Sequence, residues 1–259
     1  MDGLILAAGY ATRLYPLTQN RPKPLLPVDG KPLIDHLLQR LAQINDLKRI
    51  FIVSNARFAQ DFLNWAAAAE KRGLYPFELI VVDDGSSSNE TRLGAVRDMQ
   101  YVLDRHDING NLLVAAGDNL FDLDFSEWHR FFLARNSDCV TAYAVSSLEK
   151  LQRSGVIAMD EDGWATSFVE KPSQPASNWV CPALYLFKPE TCALIGDYLA
   201  EGENPDLPGR FIAWLLQHRK IAVFSMPTPA VDIGTLESYL AVCRQFGQEM
   251  PNLTEIGSL

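Results

Sequence analysis

Residues 4–28 read LILAAGYATRLYPLTQNRPKPLLPV, an apolar segment that runs directly into a turn of small residues. The segment from Leu4 to Leu6 predicts a buried strand, and Ala7-Ala8-Gly9 predicts a tight turn after it. Small residues let a backbone approach a ligand closely, and successive N–H groups in such a turn form a concavity for anions. The stretch therefore predicts a strand with an anion-binding loop at its carboxyl end.

Two basic side chains follow this turn within the same stretch. Arg13 carries a planar fork of donors that suits phosphate, and Lys23 adds a second positive charge. Pro22 and Pro24 restrict the backbone on both sides of Lys23, which favours a fixed loop over a flexible basic tail. The stretch contains neither G-x-x-x-x-G-K-[ST] nor G-x-G-x-x-G, so it differs from both common glycine-rich phosphate motifs.

Strand-like and helix-like runs alternate along the first half of the chain. Short apolar runs rich in Val and Ile predict buried parallel strands over Leu4–Ala8, Arg49–Ser54, Glu78–Val82 and Leu112–Ala116. Helical spacing of apolar residues predicts helices over Leu33–Ile44, Ala56–Lys71 and Leu93–Arg105. Repeated strand–helix–strand units indicate an α/β fold with a doubly wound, mostly parallel, Rossmann-like sheet, which binds ligands at the carboxyl ends of its strands.

The second half predicts mixed strand pairing that closes over the edge of this sheet. Its predicted strands cover Cys139–Val145, Val156–Met159, Ala165–Glu170, Val180–Phe187 and Ala222–Met226. Its predicted helices cover Ser126–Arg135, Glu190–Leu199, Phe211–His218 and Leu236–Phe246. We expect one domain over residues 1–250, with a first half at 1–125 and a second half at 126–250. Residues 251–259 carry few apolar side chains and predict a frayed tail.

Composition narrows the class of protein. A chain of 259 residues with 47% hydrophobic residues can bury a large core, and no apolar run is long enough to span a membrane. A net charge of −9 argues against a general surface for nucleic acid or anionic lipid. The four cysteines are widely spaced, without C-x-x-C, and the N-terminus lacks signal-peptide features. We therefore expect reduced, mostly buried thiols and a cytoplasmic location.

Two aspartates stand at predicted ligand-binding positions. Asp118 follows the predicted strand Leu112–Ala116, and Asp232 precedes the helix that begins near Leu236. Carboxylate oxygens suit Mg²⁺, which typically takes one or two carboxylates together with substrate phosphates. A turn at Asp118 and a helix cap at Asp232 would explain the same residues without a metal.

A third polar segment is Glu170-Lys171-Pro172, at the end of a predicted strand. Adjacent strand residues point to opposite faces, so Glu170 and Lys171 are free to contact different ligand groups. An exposed polar strand end is the alternative interpretation. Gly155 lies upstream in Arg153-Ser154-Gly155-Val156 and allows a close backbone approach.

Together these segments resemble the sugar-phosphate nucleotidylyltransferases, and most closely the short form, without a β-helix extension, of the glucose-1-phosphate thymidylyl- and uridylyltransferases. The family signature is L-A-[AG]-G-x-G-T-R-L-x-P-L-T…K-P-x-L-P, and Ala11 stands where it has its second glycine. The G-D-N, E-K-P and x-D-x-G-T segments of the family match Gly117-Asp118-Asn119, Glu170-Lys171-Pro172 and residues 231–235. Leu93-Gly94-Ala95 resembles the turn beside the nucleobase, although the serine-rich loop before it lacks the expected glutamine.

The resemblance implies a role for each of these residues. Catalysis falls to Arg13, Lys23 and Asp118; nucleotide binding to Leu6, Ala7, Ala8, Gly9, Thr12, Arg13, Lys23 and Gly94; acceptor binding to Gly155, Glu170 and Lys171; and Mg²⁺ binding to Asp118 and Asp232. In the family, the glutamate of E-K-P contacts sugar hydroxyls and its lysine contacts the sugar phosphate.

The implied reaction is Mg²⁺-dependent transfer of a nucleoside monophosphate from an NTP to a sugar 1-phosphate, by in-line displacement that releases pyrophosphate. Ser154 and Pro182 replace residues that face the sugar in the family, so a CTP-dependent enzyme for phosphocholine or a phosphonate is an alternative. A non-catalytic nucleotide-sugar-binding regulator is a second alternative. The expected partners are the NTP and the phosphorylated acceptor, without nucleic acid or membrane, and a homo-oligomer stays open.

Overall fold

The computed structural model describes residues 1–247. The predicted tail over 251–259 lies outside the described residues. In chain order the strands are β1 Asp2–Leu6, β2 Pro27–Val28, β3 Lys31–Pro32, β4 Arg49–Ser54, β5 Glu78–Asp83, β6 Leu112–Ala116, β7 Asn119–Leu120, β8 Asp138–Ala144, β9 Gly155–Met159, β10 Ala165–Glu170, β11 Trp179–Val180, β12 Leu184–Phe187, β13 Ile221–Ser225 and β14 Val231–Asp232. The α-helices are α1 Leu33–Leu41, α2 Ala59–Lys71, α3 Ala95–Leu103, α4 Phe125–Arg135, α5 Leu148–Gln152, α6 Pro189–Ala200, α7 Pro208–Leu215 and α8 Leu236–Gln245.

The parallel strands predicted for the first half form one side of the main sheet. β1 lies between β4 and β6, and β5 pairs with the far side of β4, all in parallel. Leu6 is level with Val53 on one neighbour and with Ala116 on the other, so these strands end at the same edge. Most side chains of β1, β4 and β6 are buried because helices cover both faces of such a sheet. This confirms the predicted α/β class with a mostly parallel, Rossmann-like sheet.

The second half pairs in mixed directions, as predicted, but it extends the sheet instead of closing over its edge. The ten described strands of the main sheet run β10-β9-β11-β8-β12-β6-β1-β4-β5, with β13 paired to β8. β12 is antiparallel to β6, and from there the second half continues the same hydrogen-bonded layer.

The prediction of one strand over Val180–Phe187 was wrong, because the chain leaves the ladder at Cys181–Ala183. β11 pairs with β8 and β9, whereas β12 pairs with β8 and β6. Pro182 has no N–H to donate to a ladder, and Leu184 N instead bonds the Pro182 carbonyl at 2.8 Å. The break turns this short segment across the strand ends.

The predicted helices are present, with shifted ends. The helix predicted from Leu93 begins at Ala95, because Gly94 has φ 94° and ψ 149°, outside the helical region. The helix predicted over Phe211–His218 begins earlier and is α7, with Pro208 in its first turn. No helix within residues 1–247 is long and apolar enough to cross a membrane. All four cysteines are free and buried, as predicted.

Candidate active site

The loop after β1, residues 7–14, is held on several sides by groups from other elements. Ala7 N–H donates to the Val53 carbonyl at 2.9 Å, which continues the β1–β4 ladder by one bond. The buried Asn55 side chain donates to the Ala8 carbonyl at 2.9 Å and accepts from Phe58 N–H at 3.2 Å. These hydrogen bonds hold in place the loop that the sequence predicts to bind anions.

Gly9 leaves this loop open on its outer side. It is exposed, and a β-carbon added there would meet nothing within 4 Å. Tyr10, next in the chain, is buried and donates its hydroxyl to the Ser86 carbonyl at 3.1 Å, which ties the loop to the serine-rich segment. The loop therefore has a fixed base and an accessible glycine backbone.

Ala11 adopts the left-handed conformation, with φ 47° and ψ 41°. Its carbonyl accepts from Leu14 N–H at 2.9 Å and from the Thr18 hydroxyl at 2.8 Å, and these bonds close the short 3₁₀ turn Thr12–Leu14. A glycine adopts this conformation without a steric cost, which explains why the family signature has glycine here. Alanine keeps the same turn.

A cavity of about 210 Å³ opens beside this loop. The Arg13 side chain lines it and forms no hydrogen bond or ion pair with any residue in the described part of the chain. The cavity joins residues that lie far apart in sequence: Leu6, Ala7, Gly9, Ala11, Arg13, Leu14, Lys23, Pro24, Asp118 and Gly234. Most of the residues predicted for nucleotide binding therefore surround one space, with a free guanidinium at its wall. The predicted Ala8 lies in the loop itself, and Thr12 begins its 3₁₀ turn.

The two predicted metal ligands are brought together by a pair of two-residue strands. β7 and β14 are antiparallel, and Asp232 is level with Asn119. Asp118 and Asp232 therefore lie close together although they are far apart in the chain. Lys23 Nζ lies 2.7 Å from Asp118 Oδ2 and 3.7 Å from Asp232 Oδ1. Asn119 donates to the other Asp118 oxygen at 2.9 Å. One lysine therefore contacts both carboxylates.

The donor set fits a hard divalent cation that completes its shell with phosphate oxygens and water. Two carboxylates already share one positive charge, and the side chains of Asp118 and Asp232 stay 35% and 50% exposed. Within residues 1–247 no cluster of three or more His, Cys, Asp or Glu forms a metal site by itself. A pair of carboxylates is what Mg²⁺ typically takes from a protein when substrate phosphates provide the other ligands.

The predicted acceptor residues form a second group at the ends of β9 and β10. Gly155 is level with Glu170, and a β-carbon on Gly155 would lie 2.5 Å from Phe168 Cζ and 3.3 Å from Glu170 Oε2. A β-carbon added at Gly209, in α7, would lie still closer, at 2.5 Å from the same Glu170 oxygen. The Glu170 carboxylate is therefore packed against two glycines, and a residue with a β-carbon at either position would collide with it or with Phe168.

Two cations, Lys171 and Arg210, act on the carboxyl group of Glu170 at the end of β10. Burial raises the pKa of the Glu170 carboxyl above its ordinary value, and Lys171 and Arg210 act in the opposite direction. Lys171 follows the end of β10 with φ 48°, so it leaves the strand instead of continuing its alternation. Neither cation forms an ion pair within residues 1–247, which leaves both able to contact an anionic ligand.

The segment Cys181–Ala183 joins the two groups across the strand ends. Cys181 N–H donates to the Gly155 carbonyl, and Ala116 N–H donates to the Ala183 carbonyl, each at 2.9 Å. Tyr143 lies in the same region, where burial raises its pKa to about 12 with smaller effects of Asp232 and Cys181. The residues predicted for acceptor binding and the two aspartates predicted for metal binding thus share one edge of the sheet, joined by the Cys181–Ala183 segment.

Gly94 lies at the start of α3, where a loop from the second half packs against it. A β-carbon there would meet the Pro205 carbonyl oxygen at 2.7 Å, and Val96 N–H donates to that carbonyl at 2.8 Å. Arg92 bonds Asp206 with two nitrogens, at 3.3 and 2.8 Å. The glycine is therefore required for contact with the protein's own chain, and its predicted contact with a nucleobase stays a prediction.

Several residues of this region carried no recognised signal in the sequence. Asn55 follows an apolar strand, as a ligand-facing polar residue does, and that position could have singled it out. Gly209 and Arg210 begin a helix whose contact with Glu170 depends on how α7 packs on β10. Tyr143 looks like any core aromatic residue in the sequence, so only the fold reveals its place.

Comparison with known proteins supplies independent information on the family. The model of the family described as "Nucleotidyl transferase" matches residues 2–249 of this chain. The UTP–glucose-1-phosphate uridylyltransferase of Synechocystis sp. is 26% identical over 251 residues, which cover 94% of this chain and 63% of that protein. The catalytic subunit beta of a mannose-1-phosphate guanylyltransferase of Drosophila pseudoobscura pseudoobscura is 30% identical over 188 residues, covering 72% and 47%.

Among solved structures, a UDP-glucose pyrophosphorylase complexed with UDP-glucose superposes with a TM-score of 0.76. The match covers 95% of this chain and 98% of that one at 20% identity, so it supports the fold. The chain spans less than two thirds of the length of the two curated relatives named above.

Proposed function

This chain belongs to the nucleotidyl transferase family, as its motifs predicted, and from that premise we propose that it transfers a nucleoside monophosphate from an NTP to a sugar 1-phosphate. The observation that carries the proposal is the convergence of Arg13, Lys23 and Asp118 on one cavity beside an open glycine loop, with Asp232 in contact with the same lysine. Relatives named for uridylyl and guanylyl transfer to sugar 1-phosphates support the same class of reaction.

The proposed reaction needs no protein nucleophile. An oxygen of the acceptor phosphate attacks the α-phosphorus of the NTP, the bond to the β-phosphate oxygen breaks, and pyrophosphate leaves as the NDP-sugar forms. A sugar phosphate is already an anion at neutral pH, so the protein contributes mainly positioning and charge. Arg13 and Lys23 would neutralise the charge that grows on the leaving pyrophosphate.

The acceptor would lie along the Cys181–Ala183 segment, between the two groups of residues. Glu170 would accept hydrogen bonds from two sugar hydroxyls, while Lys171, and also Arg210, would contact the phosphate. The absence of a β-carbon at Gly155 and Gly209 leaves the space that the carboxylate occupies. This arrangement favours a polyhydroxylated acceptor, because a buried carboxylate left without donors is costly.

We include Mg²⁺ in the proposal, held by Asp118 and Asp232. When bound there, the ion would supply charge neutralisation and polarisation at the reacting phosphate. The residues of this chain would orient the ion, because β7 and β14 set the distance between the carboxylates and Asn119 fixes one Asp118 oxygen.

A substrate screen tests the function directly. The purified protein is incubated with each of dTTP, UTP, CTP, GTP and ATP against a set of sugar 1-phosphates, with phosphocholine and a phosphonate as further acceptors. We expect pyrophosphate release together with an NDP-sugar identified by mass. Turnover of phosphocholine alone would contradict the sugar assignment and keep the nucleotidyl transfer, whereas no pyrophosphate with any pair would contradict both.

Two aspartate variants test the metal site in the same assay. Asp118→Asn and Asp232→Asn should each lower turnover by about 10²–10⁴, the range typical of electrostatic stabilisation. Asp122→Asn is the matched control, because Asp122 is exposed and its carboxylate pairs with Arg40 away from the cavity. Undiminished turnover of either active-site variant, or full activity in excess EDTA, would reject the Mg²⁺ proposal.

A further inference from the structure

Lys23 is buried in the position where it neutralises both aspartates. It is 6% exposed, and its ammonium contacts Asp118 at 2.7 Å and Asp232 at 3.7 Å. Mg²⁺ requires carboxylate oxygens at about 2.0–2.1 Å in a near-octahedral shell. An ammonium between the two carboxylates occupies the space and satisfies the charge that such an ion would need.

The backbone of Lys23 is held firmly by its neighbours in the chain. Pro22 and Pro24 flank it, and the turn is closed by Leu25 N–H on the Pro22 carbonyl and by Leu26 N–H on the Lys23 carbonyl. A change of partner for the ammonium therefore requires rotation of the side chain only. The cavity lined by Lys23 and Arg13 offers the alternative position, beside the open loop.

A second cation lies near the same carboxylates. A β-carbon added at Gly234 would lie 3.1 Å from Asp232 Oδ2 and 3.8 Å from Arg13 Nη2, so both side chains pack against this glycine. Lys23 thus contacts both aspartates, and Arg13 and Asp232 pack against the same glycine. A polyphosphate entering the cavity offers these cations a more highly charged partner than two partly exposed carboxylates.

We propose that Lys23 is the resident counter-cation of the Asp118–Asp232 pair, and that a divalent cation reaches both carboxylates only after a nucleoside triphosphate draws the lysine away. The inference rests on the proposed function, since it takes the nucleoside triphosphate as the ligand of the cavity. Its consequence is an order of assembly in which the free protein binds the cation weakly and the nucleotide-bound protein binds it tightly.

Mn²⁺ titrations followed by electron paramagnetic resonance test this order without any turnover. The free wild-type protein should bind Mn²⁺ weakly, and Lys23→Met should bind one Mn²⁺ at least about tenfold more tightly, because the substitution removes a charged contact that is worth about a factor of ten or more. Adding Asp118→Asn to Lys23→Met should abolish the gain. Lys48→Met is the matched control, because Lys48 is exposed and its loss changes the net charge equally.

Tight Mn²⁺ binding by the free wild-type protein that Asp118→Asn removes would overturn the proposal, and this result needs no lysine variant to fold. An equal gain in Lys48→Met would also overturn it, by showing a general effect of charge. Lys23→Gln, checked by circular dichroism, replaces Lys23→Met if the latter is unfolded. The titrations contain no nucleotide, so they report on Lys23 even if the substrate screen shows that the proposed function is wrong.

Discussion

Ala11 shows how one residue can keep the geometry of a loop at a cost in stability. Its left-handed backbone, φ 47° and ψ 41°, places its carbonyl to accept two hydrogen bonds that close the loop. An L-residue with a β-carbon is strained in this conformation, and glycine is not. Alanine in place of the glycine of the family signature therefore keeps the conformation of the loop.

We predict that Ala11→Gly stabilises the protein by about 0.5–1 kcal/mol, the steric relief of 1–2 kcal/mol less the larger entropy of an unfolded glycine. Urea unfolding measures the change. Ala67→Gly, on the exposed side of α2, is the control and should destabilise by about 1 kcal/mol. A loss of stability in Ala11→Gly would contradict the interpretation.

The guanidinium of Arg13 lies at the wall of the cavity beside the loop after β1. This group forms no described ion pair there, so it is available to phosphate. Arg13→Ala should lower kcat/KM by about 10²–10³, because charge grows on the leaving pyrophosphate. Arg13→Lys should recover only part of this loss, since an ammonium lacks the bidentate fork.

Steady-state kinetics with the best NTP and acceptor measure both Arg13 variants. Arg130→Ala is the matched control, because Arg130 is exposed on α4, away from the cavity. Complete recovery in Arg13→Lys would show that position 13 needs only a charge.

Two buried carboxyl groups, Asp84 just after β5 and Asp98 in α3, connect the end of this strand to the helix. Burial, and next the neighbouring Asp84, raise the pKa of Asp98 to about 8, while the pKa of Asp84 is also raised, mainly by burial. Asp84 accepts from Ser86 N–H at 2.7 Å, in the segment that holds Tyr10. Asp206 adds a third carboxylate nearby. Two buried carboxyl groups with raised pKa values therefore lie close to each other, one at the strand end and one in the helix.

This pair makes stability depend on pH in a defined direction. With its pKa raised to about 8, Asp98 keeps its proton in the folded protein up to about that pH, whereas an unfolded chain releases it near the ordinary value of 3.8. Between these values the folded state binds more protons, so stability falls as the pH rises, by at most about 1.4 kcal/mol per pH unit per proton. Because the two groups titrate together, the slope belongs to the pair.

We predict that Asp98→Asn flattens this fall in stability between pH 5 and pH 8. Urea unfolding at several pH values measures it. Asp162→Asn, an exposed aspartate, should leave the slope of the wild-type protein unchanged. The same slope in Asp98→Asn and wild type would show that Asp98 does not hold this proton.

At the scale of the whole molecule, one sheet carries both groups of site residues. The first loop stands at the end of β1, and the acceptor group stands at β9 and β10, on the far side of β6, β12, β8 and β11. The Cys181–Ala183 crossing spans this distance by bonds to Gly155 and Ala116. Because the two groups stand on different strands, their residues should affect different substrates.

We predict that Lys171→Ala raises the KM for the sugar phosphate by about tenfold and changes the affinity for NTP little. A tenfold change is near the lower end of the range expected for the loss of a charged hydrogen bond, because Lys171 is exposed. Initial rates with each substrate varied in turn give the KM values, and nucleotide binding is measured by calorimetry. Lys48→Ala serves as the control, and a loss of NTP affinity in Lys171→Ala would place this lysine in the nucleotide site.

Local patterns in the sequence were enough to predict the parallel strands, the first loop and most helices. Buried strands such as Arg49–Ser54 are continuous apolar runs, and the residues of the first loop are neighbours in the chain, so their chemistry is visible in one short stretch. The family signature extended this to Asp118, Asp232, Glu170 and Lys171 as separate motifs.

The tertiary structure alone decided how those motifs meet. Asp118 and Asp232 come together through β7 and β14, which are too short to produce any periodic pattern, and Lys23 contacts an aspartate 95 residues away. The split at Pro182 depends on which strands flank it, and the raised pKa of Asp98 beside Asp84 depends on burial that neither segment shows alone. Such contacts arise from long-range pairing and desolvation, which belong to the packed sheet and not to any local stretch of sequence.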